Sequence, residues 1–323
     1  FRSSNSLLLL QALFPNIDIQ NISNADDAVL MQNALRLDSS TIDIHHAGTA
    51  MRFLTAFLST QEGREITLTG SSRMQERPIK VLVDALRQLG ADIKYKKNEG
   101  FPPLLINGKT ITKHKVTIKA NVSSQYISAL LLIAPSLENG LELTLEGDIT
   151  SIPYIKMTLS LLNQLGVSTR FENNTISVEN AKSGISPITL TVESDWSSAS
   201  YFYSIVALSD IGTEMALSTF NKQSLQGDSV LADIYKDFGV KTTFLNNSIT
   251  LLKTEDCQLS TVNFQLKNAP DIAQTIAVTC LGLGVSCHLE GLHTLKIKET
   301  DRLTALKNEI EKFGTPVTIS NNS

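Results

Sequence analysis

Hydrophobic and polar positions recur along this chain with a period of about 75 residues. Four amphipathic segments each end in an apolar residue followed by glycine, and the glycines stand 76, 73 and 75 residues apart, at Gly90, Gly166, Gly239 and Gly314. Glycine in that place is typical of a helix C-terminus, because it adopts the left-handed conformation without strain. Alternating apolar stretches follow, as in 91–95 and 240–244, and predict strands.

The pattern predicts two helices in each repeat. The glycine-ended helices cover 77–90, 152–166, 228–239 and 300–314, and Pro78 and Pro153 suit the first helical position. A second helix precedes each, and these begin near Ala47, Ser123, Ser197 and Pro270. Gly48 and Gly90 are separated by the same 42 residues as Ser124 and Gly166, so the register holds. Each unit therefore reads strand, helix, strand, helix, strand, and a partial unit comes first.

Polar residues gather where these predicted helices begin, and unpaired backbone N–H groups gather there too. The sharpest case is 298–302, where Arg302 lies in the first turn of a helix and Lys298 lies just upstream. A cation at that end of a helix is unfavourable by roughly 0.3–1 kcal/mol, so the pattern indicates a bound anion. Glu299 and Asp301 offer the alternative, a solvated cluster of ion pairs.

Composition limits the classes of protein. The 323 residues suffice for two domains, and no apolar run reaches the roughly 20 residues of a membrane span. The net charge of −4 argues against nucleic acid as a partner. The three cysteines lack metal spacing and no signal peptide is visible, so we expect a cytoplasmic protein, and we expect a monomer. No metal motif or dinucleotide fingerprint appears, so no cofactor is expected.

Seven motifs lie in order at 46–52, 73–78, 123–125, 151–154, 195–201, 270–271 and 298–302. Through them nearly the whole chain resembles the 5-enolpyruvylshikimate-3-phosphate synthase family of enolpyruvyl transferases. The resemblance implies an α/β fold, a two-domain inside-out α/β barrel of repeated βαβαββ units with the substrates in the cleft. It places three units in residues 1–192 and an incomplete second domain, lacking the C-terminal repeat, in 193–323.

The resemblance also implies the reaction, a step of chorismate and aromatic amino acid biosynthesis. The enolpyruvyl group of phosphoenolpyruvate passes to the 5-hydroxyl of shikimate 3-phosphate, and phosphate leaves. Asp271 is the implied base and Glu299 the implied acid. Shikimate 3-phosphate would be bound by Ser123, Ser124, Gln125, Ser151, Asp271 and Lys298. Phosphoenolpyruvate would be bound by Gly48, Arg77, Gln125 and Arg302. Helix capping is the alternative role for the serines and Asp271, and ion pairing with Lys298 or Arg302 for Glu299.

The chain departs from the family pattern at a few positions. Phe1 and Ser6 stand where the first family motif has Lys and Arg, and Ile152 and His46 replace a Lys and an Asn. Two rival functions follow. One is the sister transferase acting on UDP-N-acetylglucosamine, which uses a loop cysteine, whereas no cysteine occurs here before Cys257. The other is a non-catalytic anion-binding protein.

Overall fold

The computed structural model of this chain describes residues 2–120, 123–147, 149, 152–181, 184–297 and 300–323. Helices and strands alternate along it, so the fold is mixed α/β. The chain divides into two compact units, Phe1–Val192 and Glu193–Ser323, and each has its own hydrophobic core. They are called unit 1 and unit 2 below.

Unit 1 contains two copies of the predicted repeat, and a shorter segment precedes them. That segment comprises α1 (Arg2–Leu13), β1 (Ile17–Gln20) and α2 (Asp26–Arg36). The first copy comprises β2 (Thr41–Asp43), α3 (Gly48–Ser59), β3 (Glu65–Thr69), α4 (Lys80–Leu89), β4 (Asp92–Tyr95) and β5 (Leu104–Asn107). The second comprises β6 (Lys115–Lys119), α5 (Ser124–Ile133), β7 (Leu141–Glu146), α6 (Ile152–Gln164), β8 (Thr169–Glu172) and β9 (Thr175–Val178), and β10 (Ile188–Thr191) closes the unit.

The sheets of unit 1 confirm the βαβαββ repeat. Strand order is β2-β3-β5-β4 in the first copy and β6-β7-β9-β8 in the second, with the first two strands parallel and the last two joined antiparallel. In both copies a helix connects the parallel pair, as a parallel crossover requires. Strand β1 pairs in parallel with β10, which joins the two ends of the unit. Among the described residues these sheets are open, and none closes into a barrel.

Helices α3 and α5 form the centre of unit 1. Every residue of α3 from Thr49 to Ser59 is buried, and all of α5 except Gln125 is buried as well. A helix that is buried on all sides and is mostly apolar belongs in a core. The helices therefore lie inside the sheets, as the sequence predicts, and their first turns carry the polar residues of the motifs.

Unit 2 continues the same pattern. It comprises α7 (Trp196–Ala207), β11 (Glu214–Ser218), α8 (Leu231–Ile234), β12 (Val240–Leu245), β13 (Ser248–Lys253), β14 (Thr261–Gln265), α9 (Ala273–Leu283), β15 (Ser286–Glu290) and α10 (Arg302–Glu311). The order β11-β13-β12 reproduces β3-β5-β4, and β14 pairs in parallel with β15. In the core, Tyr235 packs against Tyr203 in a tilted arrangement and against Phe238 edge to face, with ring centroids 5.1 and 5.2 Å apart.

Two predicted helices differ from expectation. Residues 228–239 form α8 flanked by 3-10 turns at Gly227–Val230 and Tyr235–Phe238, and not one continuous helix. Gly227, Asp228 and Ser229 are poor helix formers, which accounts for the irregular start. The placement of Pro78 at a first helical position was wrong, because α4 begins at Lys80. The N–H of Ile79 donates to the carbonyl of Gly100 at 2.8 Å, which holds this segment outside the helix.

Candidate active site

The first group of predicted site residues lies in unit 1, where α3 and α5 begin. We call Gly48, Arg77, Ser123, Ser124 and Gln125 the Gly48 cluster. The amide Nε2 of Gln125 donates to the hydroxyl of Thr49 at 3.3 Å, so the first turns of the two helices lie side by side. A Cβ placed on Gly48 would stand 2.5 Å from Nη1 of Arg77. The Arg77 guanidinium therefore lies against the bare Cα of Gly48.

The two serines of this cluster have different surroundings. Ser123 is the N-cap residue of α5, and its Oγ accepts from the N–H of Gln125 at 3.3 Å. Ser124 is only 6% exposed. Ser123 therefore caps the N-terminus of α5 in this structure. A hydroxyl that accepts one bond still has its own proton to donate, so Ser123 retains the capacity to bind an anion.

Asp27 belongs to the surroundings of this cluster, and the sequence reasoning missed it. Its carboxylate accepts from the amide Nδ2 of Asn5 at 2.9 Å. Burial raises the pKa of Asp27, while the Asn5 bond and the charges of Arg77 and Arg52 oppose the rise. The only signal in the sequence is the Asp26-Asp27 pair that opens α2, and such a pair is equally typical of an ordinary helix start.

The second group lies in unit 2 and lines a pocket of about 370 Å³, which we call the Asp271 pocket. Its walls are Tyr201, Asp271, Gln274, Thr275, Arg302, Ala305, Leu306 and Glu309. Nη1 of Arg302 donates to Oδ1 of Asp271 at 2.9 Å, and each side chain is 26% exposed. The structure thus brings together a proposed base and a proposed substrate-binding cation that are 31 positions apart in the sequence.

Local structure explains how both residues reach the pocket. Helix α10 begins at Arg302, two residues after the predicted start at residue 300, so Arg302 lies in its first turn as predicted. It begins there because Oδ1 of Asp301 accepts from the N–H groups of Leu303 and Thr304 at 3.1 and 3.2 Å. These bonds, chiefly the one from Thr304, lower the pKa of Asp301. Asp271 lies in the 3-10 turn Pro270–Ile272 before α9. The N-cap positions of that turn and of α9 are Ala269 and Ile272, so Asp271 is not an N-cap residue.

Three predicted site residues cannot be placed. Ser151, Lys298 and Glu299 lie outside the described residues. Conversely, the structure adds Tyr201, which lines the Asp271 pocket although 65% of its surface is exposed. The sequence carried one signal for Tyr201, its position at the end of the fifth motif.

Two further features bear on the kind of site. Among the described residues, no three His, Cys, Asp or Glu side chains are grouped so that they could hold a metal ion. Cys257, Cys280 and Cys287 are free thiols. Within the same described ranges, no helix is both long enough and apolar enough to cross a membrane.

Comparisons of sequence identify the family. The model of the family described as EPSP synthase (3-phosphoshikimate 1-carboxyvinyltransferase) matches residues 4–323. A 3-phosphoshikimate 1-carboxyvinyltransferase of Bacteroides fragilis is 47% identical over 315 residues, which cover 96% of this chain and 75% of that protein. The enzyme of the same name from Haemophilus influenzae is 38% identical over 346 residues, covering 97% of this chain and 78% of its own.

Comparisons of structure agree on the fold. The EPSP synthase of Acinetobacter baumannii has a TM-score of 0.76 at 19% identity, covering 98% of this chain and 78% of that one. The enolpyruvyl transferase NikO of Streptomyces tendae has a TM-score of 0.61 at 12% identity, covering 90% and 73%. The sister transferase acting on UDP-N-acetylglucosamine is not favoured by these matches. Repeat, motifs and relatives lead to one conclusion: this chain belongs to the EPSP synthase family, the 3-phosphoshikimate 1-carboxyvinyltransferases.

Proposed function

We propose that this protein transfers the enolpyruvyl group of phosphoenolpyruvate to the 5-hydroxyl of shikimate 3-phosphate and releases phosphate. The observation that carries the proposal is the family match, which runs from residue 4 to residue 323. The pairing of Asp271 with Arg302 supports it, because it joins a proton acceptor to an anion-binding group at one pocket.

The charges of the substrates explain the residue types at the two groups. Phosphoenolpyruvate and shikimate 3-phosphate carry two phosphates and two carboxylates between them, and these repel one another. Fixed cations and N–H donors must offset that repulsion. We assign Arg77 and Arg302 to phosphoenolpyruvate. Gly48 lets the Arg77 guanidinium lie directly against its Cα, because it has no side chain to fill that space.

We assign shikimate 3-phosphate to the hydroxyl-rich start of α5 and to the last motif. Ser123, Ser124 and Ser151 bind its phosphate, Lys298 binds its anionic groups, and Gln125 reaches both substrates. Hydroxyls suit this task, because each can donate to a phosphate oxygen while it accepts a backbone N–H. Ser123 already accepts such a bond from Gln125.

Acid–base catalysis completes the proposed mechanism. Asp271 takes the proton of the 5-hydroxyl as its oxygen attacks C2 of phosphoenolpyruvate, and Glu299 gives a proton to the methylene carbon. The product of this addition is a tetrahedral intermediate. Loss of a proton from the new methyl group and departure of phosphate then restore the double bond. Arg302 orients the Asp271 carboxylate through the 2.9 Å bond.

A coupled assay tests the activity. The protein is incubated with phosphoenolpyruvate and shikimate 3-phosphate, and released phosphate and the enolpyruvyl product are measured together. Equal amounts of both are expected, with none when shikimate 3-phosphate is left out. UDP-N-acetylglucosamine replaces shikimate 3-phosphate in a parallel reaction. Product from that acceptor alone, or from neither acceptor, would overturn the proposal.

We also infer that the protein works in the cytoplasm as a monomer. The three free thiols support the first part, because reduced cysteines are typical of that compartment. Fractionation of the source cells and the mass of the purified protein in solution test the two parts separately.

A further inference from the structure

Arg52 on α3 is a buried cation that the proposed chemistry does not use. Only 4% of its surface is exposed. Nη1 donates to the carbonyl of Gly48 at 2.9 Å and contacts Sδ of Met74 at 3.7 Å, and Nη2 donates to the carbonyl of Pro78 at 3.4 Å. Nε is buried with no hydrogen-bond partner among the described residues. Burying this guanidinium costs stability, because no carboxylate in the described part of the chain lies within ion-pair distance of it to compensate for the loss of water.

The fold of the repeat does not require this cation. Gly48 and Ser124 occupy equivalent positions at the starts of α3 and α5, so Arg52 is equivalent to Ser128. Ser128 is fully buried, and its hydroxyl shares a 2.8 Å hydrogen bond with that of Thr158. The same helix packing is therefore reached with a small hydroxyl at this place. Arg52 is thus an exception within the repeat, and its presence needs another explanation.

The contacts of Arg52 join two of the three backbone segments of the Gly48 cluster. Its guanidinium binds Gly48 at one end and Pro78, the neighbour of Arg77, at the other. The hydroxyl of Tyr126 donates to the same Pro78 carbonyl at 2.6 Å, and the Arg52 guanidinium lies 5.9 Å from the centre of the Tyr126 ring. Arg52 and Tyr126 together fix the backbone that carries Arg77.

We propose that Arg52 is a positioning residue for phosphoenolpyruvate: it holds Gly48 and the Arg77–Pro78 segment at the spacing in which Arg77 lies against Gly48. The proposal rests on the proposed function, which assigns Gly48 and Arg77 to that substrate. Arg52 itself does not touch the substrate. Its charge adds to the positive potential felt by an anion beside Arg77, and Asp27 is the carboxylate on which both arginines act.

Kinetics of three variants of the full chain test this role. Arg52→Lys keeps the charge but loses the planar fork that reaches two carbonyls at once. Tyr126→Phe removes only the hydroxyl that shares the Pro78 carbonyl. Ser128→Ala is the matched control, because it alters the equivalent position of the second repeat. The Michaelis constant of each substrate is measured with the other saturating, and thermal unfolding is followed by circular dichroism.

Arg52→Lys is expected to raise the Michaelis constant for phosphoenolpyruvate at least tenfold and towards the ~100-fold that small misplacements of a site cost. The Michaelis constant for shikimate 3-phosphate should stay within about twofold. General destabilisation of the protein would not change one Michaelis constant and leave the other unchanged. Tyr126→Phe should shift the phosphoenolpyruvate constant alone by about 2–10-fold, the value of one hydrogen bond. Ser128→Ala should lower the unfolding temperature and move neither constant.

Equal changes in both constants, or none in folded Arg52→Lys, would overturn the proposal. If Arg52→Lys does not fold, Tyr126→Phe decides in the same way, and an unchanged phosphoenolpyruvate constant counts against it. Failure of the proposed function itself is seen separately, because the unaltered protein would then release no phosphate from the two substrates.

Discussion

At the scale of single residues, the side chain in closest contact with a site residue determines which substitutions that position tolerates. Gly48 has no free space beside its Cα, since the Arg77 guanidinium fills it. Asp271 has a cation at hydrogen-bonding distance. The contacting residue, Arg77 for Gly48 and Arg302 for Asp271, is distant in sequence in both cases. The effect of a substitution at Gly48 or Asp271 is therefore predicted from the structure.

Gly48→Ala should weaken the use of phosphoenolpyruvate. The added methyl group would lie 2.5 Å from Nη1 of Arg77, so the end of that side chain must move. The flexible end of Arg77 can move at little cost in stability, but a displaced guanidinium loses charge-assisted hydrogen bonds to the substrate, worth about 1.5–3 kcal/mol, which corresponds to a rise of roughly 10–150-fold in the Michaelis constant for phosphoenolpyruvate. The constant for shikimate 3-phosphate is the internal control. If both rise together, Gly48 serves the helix backbone and not the small substrate.

Asp271→Asn should lower turnover far more than substrate binding, because the amide keeps the shape but cannot take the hydroxyl proton. General-base catalysis is typically worth about 10²–10⁴-fold, and that loss is expected in phosphate release at saturating substrates. Glu311→Gln, which removes a surface carboxylate paired with Lys307 at the far end of α10, is the control and should keep normal turnover. Near-normal turnover of Asp271→Asn would remove Asp271 from the chemistry.

The thiol of Cys287 should be the most reactive of the three. A hydrogen bond from the Cys280 thiol, supported by the charge of His288, lowers the pKa of Cys287 to about 7, while the same bond raises that of buried Cys280. Alkylation at Cys287 should therefore increase as the pH rises through about 7, and Cys280 should stay unmodified. Mass spectrometry of peptides after brief iodoacetamide treatment measures this. Preferential labelling of Cys280 would contradict it.

At the scale of elements, helix ends are the weak points, because their last carbonyls lack partners within the helix. In unit 2, one buried lysine on β13 supplies hydrogen bonds to such carbonyls. Nζ of Lys253 donates to the carbonyls of Ala207 and Phe238 at 2.9 Å each, and these residues end α7 and the 3-10 turn before β12. A cation at a helix C-terminus also interacts favourably with the helix dipole.

Lys253→Met should therefore destabilise unit 2. The methionine fills a similar volume but leaves two buried carbonyls without a donor, which costs about 1–3 kcal/mol in the free energy of unfolding. Lys241→Met, on the exposed side of neighbouring β12, should change it by less than about 0.5 kcal/mol. Urea titrations of both variants give the comparison. An equal effect of the two would show that burial of Lys253 carries no special stability.

At the scale of the whole molecule, each unit has its own hydrophobic core, and its described strands pair only with strands of the same unit. In unit 1, β1 pairs with β10, where Ile17 lies opposite Ile188 and Ile19 opposite Leu190. The amide of Asn21 adds a bond to the carbonyl of Val192 at 2.8 Å. The last strand before the division at residue 192 is thus tied to the first strand of the unit.

A fragment of residues 1–192 should consequently fold on its own and melt in one cooperative transition. A shorter fragment, 1–183, lacks β10 and leaves β1 without its partner strand, so it should melt at a lower temperature. Differential scanning calorimetry of the two fragments tests this. A fragment 1–192 without a cooperative transition, or with the same stability as 1–183, would contradict the prediction.

Much of the fold follows from local sequence. The glycines at repeat ends, the apolar inner helices and the alternating strands are set by backbone preference and by burial, and both leave periodic signals. Helix α10 was predicted in the same way, to within two residues, and its cap Asp301 is the residue adjacent to its start. For the site, the sequence supplied candidates and their chemistry, and their roles stay predictions.

The tertiary structure decided which of those candidates meet. Asp271 bonds to Arg302, and Arg77 contacts Gly48, although the members of each pair lie dozens of positions apart in the sequence. The burial of Arg52 depends likewise on tertiary packing. No local sequence pattern encodes such contacts. Strand β10 pairs with β1, and the paired residues are 171 positions apart in the sequence. In the repeat pattern, however, β10 is the first strand of a repeat whose other strands lie in unit 2. Such choices depend on the packing free energy of whole elements, whereas the sequence read locally reports only the preferences of each segment.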